Sequence, residues 1–422
     1  MKIKVKDKAY SDVLAIRPPA HKRPISQGRL FRALLKAASA PELKQVHFRC
    51  QSIGMERLSP DEPCLVLMNH SSFIDLKIAA TLLCKRPFHI VCTSDGFVGK
   101  EWLMRRLGCI PTQKFQTDAV LVRDMRYALK TLKSSILLYP EASYSFDGTA
   151  TPLPESLGRC LQFLDVPVVM IRTHGAFLRD PLYNNLRLRK VDVRADMEYL
   201  LSPETIRQST AETLNGILKE KFTFDAFSEQ RENHMKLDEP FRADDLNRVL
   251  YKCPHCLRED AMRGSGDTIA CTACNHAYRL SEYGALEAVG GEGKFTHIPD
   301  WFAWERSEVR RELLAHAYRM EIPVDICMLV DFKSIYRVGS GTLTHSEAGF
   351  ALSGCGGALA YTQDPRAGYS LYADYYWYEI GDVICIGTGS ALYYCFPTNG
   401  RDVVAKARLA AEELYKLAAR GV

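Results

Sequence analysis

Apolar and polar positions follow two regimes along the chain. Up to about residue 200, short continuous apolar runs alternate with amphipathic stretches. The runs Leu65–Met68, Phe88–Cys92, Cys109–Pro111, Ser135–Tyr139 and Val166–Ile171 lack a period of two, as strands buried on both faces do. Between them, Phe73–Leu83, Lys100–Leu107 and Ala119–Lys133 carry helical spacing. A strand around Val46–Cys50, alternating strand-like sequence over 186–199 and a helical pattern over 203–221 complete this half. The alternation predicts an α/β domain: a mixed sheet flanked by helices.

From Val324 the pattern changes to short strands with glycine turns, such as Gly339-Ser340-Gly341, closed by a helix over Asp402–Arg420. This predicts a β-rich C-terminal domain of the pleckstrin-homology type. Phe222–Asn247 is charged and weakly patterned, as a linker would be, and Trp301–Met320 has helical spacing. The expected organisation is a basic arm (1–40), an α/β domain (41–245), a cysteine-bearing module (246–285) and the β-rich domain with its terminal helix (286–422).

Charge sharpens one end. The net charge is only +5, yet residues 1–40 hold ten Lys/Arg against Asp7 and Asp12. Within this arm Arg29–Lys36 places Leu30, Phe31, Leu34 and Leu35 on one side and Arg29, Arg32 and Lys36 on another, which suits a helix lying on anionic lipid. No apolar run approaches the roughly 20 residues of a membrane span, and the charged start lacks the apolar core of a secretory leader. Of the 14 cysteines, ten are scattered as buried free thiols would be. The expectation is a reducing compartment: a cytoplasmic protein, peripheral on the inner face of the membrane.

The other four cysteines form two knuckles, Cys253-Pro254-His255-Cys256 and Cys271-Thr272-Ala273-Cys274, fourteen residues apart. Thiolates at this spacing predict a zinc ribbon with a closed, tetrahedral and therefore structural Zn2+ site, ligated by Cys253, Cys256, Cys271 and Cys274. His255 and His276 are not assigned as ligands. The segment has no dense Lys/Arg face, so no nucleic acid partner is expected.

Candidate chemistry lies where the first buried strand ends. Asn69-His70-Ser71-Ser72 puts His70 at the carboxyl end of a sheet strand, where open α/β sheets bind ligands. Asp75, placed in the following helix, would reach back to one imidazole nitrogen and leave the other free to take a proton. Three further features follow: Leu107-Gly108-Cys109-Ile110-Pro111, Leu138-Tyr139-Pro140-Glu141-Ala142-Ser143 and Val166-Pro167-Val168-Val169.

This order and spacing resemble the four sequence blocks of the 1-acylglycerol-3-phosphate acyltransferase family, over roughly residues 45–200. The first block matches N-H-x-S-x-x-D, with Ser72 at the Ser position. The third matches F-P-E-G-T-R-S at Pro140, Glu141 and Ser145, while Ala142, Ser143 and Tyr144 stand where the pattern has Gly, Thr and Arg. After the second block, Lys114 is the nearest basic residue where an Arg is usual.

The resemblance implies direct O-acyl transfer from a thioester, acyl-CoA or acyl carrier protein, to the free hydroxyl of a lysophosphatidate-like lipid. His70 would be the general base, oriented by Asp75, with no acyl-enzyme. Asn69, Ser72, Lys114, Glu141 and Ser143 would bind substrate, Lys114 and Glu141 at the acceptor's phosphate and glycerol end. Backbone amides at the start of the His70 helix would stabilise the oxyanion. Partners would be membrane-surface lipids, the thioester donor and a protein bound through the C-terminal domain. The alternative is a non-catalytic lipid- or protein-binding adaptor on the same fold.

Overall fold

The computed structural model describes residues 3–116, 118–389 and 391–420. Lys2 of the basic arm lies outside the described residues. The chain opens with β1 (Val5–Asp7) and α1 (Tyr10–Leu14). Next comes α2 (Arg29–Gln45), twice the length its amphipathic pattern suggests.

The first sheet is built from β2 (Arg49–Ile53), β3 (Leu65–Met68), β4 (Phe88–Thr93), β5 (Cys109–Thr112), β6 (Ser135–Leu138), β7 (Val168–His174) and β8 (Arg194–Leu201). Its order is β2-β8-β7-β3-β6-β4-β5, parallel throughout except for the antiparallel β7–β8 pair. The helices between these strands are α3 (Asp75–Leu82), α4 (Glu101–Arg106), α5 (Ala119–Lys130), α6 (Leu157–Leu164) and the single turn α7 (Ala176–Arg179). Val66 and Met68 enter one apolar cluster and Leu65 and Leu67 another, so β3 is covered on both faces. That burial is why its sequence is a continuous apolar run. The mixed sheet flanked by helices is the expected one.

The helical pattern over 203–221 is two helices, α8 (Pro203–Gln208) and α9 (Ala211–Phe222), each capped by a hydroxyl: Ser202 on the Thr205 amide and Thr210 on the Thr213 amide. The stretch expected to be a linker is packed instead. It forms α10 (Ala226–Glu232), and Phe227, Leu237, Ala243 and Leu246 are buried in the main cluster.

The cysteine-bearing segment is a four-stranded antiparallel sheet, β9 (Met262–Ser265), β10 (Thr268–Cys271), β11 (Ala277–Leu280) and β12 (Leu286–Val289). α11 (Ile298–Leu314) packs beside it, with Trp301 Nε1 donating to the Lys252 carbonyl at 3.1 Å. The β-rich region follows: β13 (Met320–Leu329), β14 (Ile335–Ser346), β15 (Gly349–Gly354), β16 (Leu359–Gln363), β17 (Tyr372–Trp377), β18 (Gly381–Thr388) and β19 (Ala391–Pro397). Their order is β16-β15-β14-β13-β19-β18-β17, all antiparallel, and β1 adds in parallel beside β14. The closing helix α12 (Val404–Arg420) packs against α11 and β17.

This β-rich region covers the carboxyl ends of the first sheet's strands. Tyr372 Oη and Trp377 Nε1 both donate to Asp95, which follows β4, and Tyr369 Oη donates to the Pro140 carbonyl after β6. Val98 and Phe115 share an apolar cluster with Leu329, Trp377 and Tyr394.

Candidate active site

β3 and β6 are adjacent and parallel, so the loops leaving them lie side by side. His70 follows β3 and Glu141 follows β6. The Glu141 carboxylate, fully buried, accepts the His70 amide at 2.8 Å and the Thr151 amide at 2.8 Å. Burial outweighs these donated bonds and pushes the carboxyl up to about 7.

α3 begins at Asp75, two residues later than the apolar pattern suggests, because Phe73 turns outward onto Tyr144, 5.1 Å away. From the first helical position the Asp75 carboxylate reaches back. Its Oδ2 meets His70 Nδ1 at 3.2 Å and accepts the amides of Ser71 at 2.8 Å and Ser72 at 3.0 Å. His70 Nε2 has no hydrogen-bond partner among the described residues. The imidazole stacks on Tyr139 at 4.2 Å and packs on Tyr144 at 4.0 Å, with its side chain 18% exposed. Burial lowers its pKa, and the Asp75 hydrogen bond and charge pull it partly back up. With its proton on Nδ1 the imidazole donates to Asp75 and keeps a lone pair on Nε2.

Four of the expected oxyanion amides are already committed. Those of His70, Ser71, Ser72 and Ile74 donate to Glu141, Asp75, Asp75 and the Ser72 hydroxyl respectively.

The other expected residues gather around this pair, most of them in support of the backbone. Asn69 Oδ1 accepts the Thr173 amide at 2.8 Å, tying β3 to β7, and its Nδ2 is buried without a partner. Ser72 Oγ donates to Asp180, itself paired with Arg179 at 2.9 Å. Ser143 Oγ accepts from Arg408 Nη1 at 3.2 Å. Ala142 holds φ +54°, the left-handed position where glycine costs nothing, which is why the pattern has Gly there. Lys114, after β5, stands 4.1 Å over the Tyr372 ring, and its charge is felt at His70. Tyr144, at the pattern's Arg position, is an aromatic wall for His70. Arg408, Tyr372 and Tyr139 escaped sequence reasoning; only the Arg-to-Tyr departure at 144 hinted that this wall is unusual.

At the second site the four cysteine sulfurs lie within 4.8 Å of one another, with Cys253–Cys274 at 3.6 Å and Cys256–Cys271 at 3.7 Å. Zn–S bonds of 2.3 Å in a tetrahedron require S···S edges of about 3.8 Å, so the donor set fits a closed thiolate site. His255 is engaged elsewhere, stacked on His276 at 3.7 Å and bonded to Tyr278 Oη at 2.8 Å.

Residues 49–173 match the family model described as Acyltransferase. The chain is similar to the chloroplastic 1-acyl-sn-glycerol-3-phosphate acyltransferase BAT2 of Brassica napus, 29% identical over 148 residues, which is 33% of this chain and 42% of that protein. The chain thus spans less than half the length of that relative. Among solved structures it is similar to the 1-acyl-sn-glycerophosphate (LPA) acyltransferase PlsC of Thermotoga maritima, at 17% identity and TM-score 0.36, over 45% of this chain and 76% of that one. His70, Asp75, Lys114 and Glu141 all fall inside the matched family segment, and Arg408 falls outside it.

Proposed function

We propose that the chain is a membrane-surface O-acyltransferase acting on a lysophosphatidate-like glycerolipid, with acyl-CoA or acyl carrier protein as donor. The observation that carries the reading is the His70–Asp75 pair, with Nδ1 committed to the carboxylate and Nε2 free. Nε2 takes the proton of the acceptor hydroxyl as its oxygen attacks the thioester carbonyl. The tetrahedral intermediate then collapses to the new ester, and the thiol leaves with the proton returned by His70. The donor is already activated, so no nucleophilic side chain is needed. Asp75 orients the ring and stabilises the imidazolium.

Membrane contact is assigned to α2 and α4. Leu30 is 67% and Trp102 66% exposed, Phe31 meets Trp102 edge-on at 6.3 Å, and Arg29, Lys36 and Arg106 flank them in solvent. Exposed apolar side chains among basic ones suit an anionic leaflet, here the cytoplasmic one. Among the described residues no helix is long and apolar enough to cross a membrane. The four cysteines would hold Zn2+, which fastens the ribbon and supplies no chemistry at His70. The strand order of the β-rich region and its single closing helix support the pleckstrin-homology-type reading.

The test is thiol release from acyl-CoA, and separately from acyl carrier protein, with lysophosphatidate in vesicles. His70→Ala is expected to lower turnover at least about a hundredfold. Turnover indifferent to His70 overturns the mechanism. No turnover with either donor, from folded protein across several acceptors, favours the adaptor reading.

A further inference from the structure

A residue outside the matched family segment reaches the site. Arg408, on α12, is 3% exposed, and its guanidinium stands 4.5 Å from the centre of the Phe146 ring. Nη1 donates to Ser143 Oγ and to the Tyr144 carbonyl, each at 3.2 Å, and Nε to Glu412 Oε1 at 3.2 Å. Among the described residues Nη2 has no hydrogen-bond partner. Glu412 is not Arg408's alone, since it also accepts from Arg306 Nη1 at 2.6 Å and Ser370 Oγ at 2.6 Å. A guanidinium withdrawn from water with a donor unfilled and half a counter-ion is poised for an anion.

Lys114 is a second, half-buried cation. It donates no hydrogen bond and forms no ion pair among the described residues, resting only on the Tyr372 ring. Burial lowers its pKa, Asp374 and Asp95 raise it, and Arg408 lowers it again, so the two cations feel each other's charge. Asp374, pushed up to about 6 by burial, is still mostly ionised near neutrality and shares this field with them. A small cleft between the Lys114–Gln116 loop and β17–β18 opens onto Lys114.

We infer that Arg408 and Lys114 together bind a phosphate monoester of the substrate, so that the closing helix supplies a specificity-determining residue to the acyltransferase site. The inference rests on the acyl-transfer reading for which substrate carries the phosphate, either the acceptor's head group or a nucleotide-bearing thioester donor. The site is incomplete without α12, whichever it is.

The experiment uses the full chain and its Arg408→Gln and Arg408→Lys variants. KM is measured separately for lysophosphatidate, for phosphate-free monoacylglycerol, for acyl-CoA and for acyl carrier protein. Arg408→Gln is expected to raise KM at least tenfold for lysophosphatidate if the acceptor is held, or for acyl-CoA alone if the donor is held, with Arg408→Lys recovering part of the loss. An equal fall in kcat on all substrates, with KM unmoved, means that Arg408 only staples the Ser143 loop and overturns the inference. A second readout does not depend on turnover or on the variants folding. sn-Glycerol 3-phosphate or coenzyme A, but not glycerol, should raise the melting temperature of the wild-type chain, and the failure of both also overturns the inference. Phosphate-specific stabilisation that Arg408→Lys weakens, in protein with no His70-dependent turnover, would sink the reaction reading and leave the anion site standing. His70-dependent turnover with every KM indifferent to Arg408 would do the reverse.

Discussion

Glu141 accepts the backbone hydrogen of His70 at 2.8 Å and so clamps the loop that carries the imidazole. Removing it leaves the buried amides of His70 and Thr151 without their acceptor. Glu141→Ala should cost about 2–4 kcal/mol in urea unfolding and lower kcat. Its pKa adds a pH signature. The carboxyl stands near 7 when folded and at its ordinary value of 4.5 when unfolded. Between those values the folded chain binds more protons, so stability falls as pH rises through this window. From pH 5 to pH 8 the wild type should lose on the order of 2–3 kcal/mol relative to Glu141→Gln, which has no proton to lose. Parallel stability curves for the two proteins would refute the shift.

The base should leave its mark on the rate profile. Burial lowers the His70 pKa, so the rising limb of kcat/KM against pH should lie below the ordinary histidine value of 6.5. Asp75 raises that pKa, so Asp75→Asn should move the limb to still lower pH while cutting the plateau by roughly ten- to a thousandfold. A limb that moves upward in Asp75→Asn would contradict the assigned hydrogen bond.

Ala142 carries a methyl where φ is +54°. The left-handed penalty of roughly 1–2 kcal/mol exceeds what glycine loses through its freer unfolded chain. Ala142→Gly should therefore raise stability by about 1 kcal/mol in urea unfolding, with kcat within about twofold of wild type. A less stable variant would mean that the methyl's packing on the third apolar cluster outweighs the strain.

The cysteine cluster should carry one equivalent of zinc as purified, measured by elemental analysis, and Cys271→Ser should lose most of it. Chelation should reach beyond the ribbon. Asn247 Nδ2 donates to Asp402 at 2.6 Å and Lys406 to Glu259 at 2.8 Å, so the module holds the start of α12. Proteolysis near residues 398–403 should accelerate on metal removal and slow when zinc is restored. Cleavage insensitive to chelation would separate the ribbon from the helix.

These residues also mark what was legible from sequence. β3 was plain because both its faces are buried and every position is apolar. β2, at the edge, has all five residues exposed, so the apolar signal sat upstream at Val46 and the expected strand began three residues early. β8 begins at Arg194, because the apolar alternation from Leu186 to Val193 belongs to packed loop rather than to the ladder. His70 and Asp75 were readable because one short segment carries both, and the geometry between them is local. Arg408 was not, since 265 residues separate it from Ser143 and nothing in an ordinary amphipathic helix announces that one guanidinium turns inward. Phe222–Asn247 passed for a linker because its buried residues are spaced by turns and caps, with neither helical nor strand period.

The pairing of β1 with β14 sets an order on the birth of the molecule. Asp7 and Arg337 meet across 330 residues. On a ribosome adding 5–20 residues per second, the first strand waits roughly 15 to 65 s for its neighbour to be made. Through that interval the first sheet and its cysteine module have time to fold, while β1 and its lysines stay unpaired in solution. The β-rich region then assembles later, onto a strand made well before it, and brings α12 with it. A nascent chain halted before β14 would hold His70 and Asp75 in sequence without Tyr372 under Lys114 or Arg408 on the Ser143 loop.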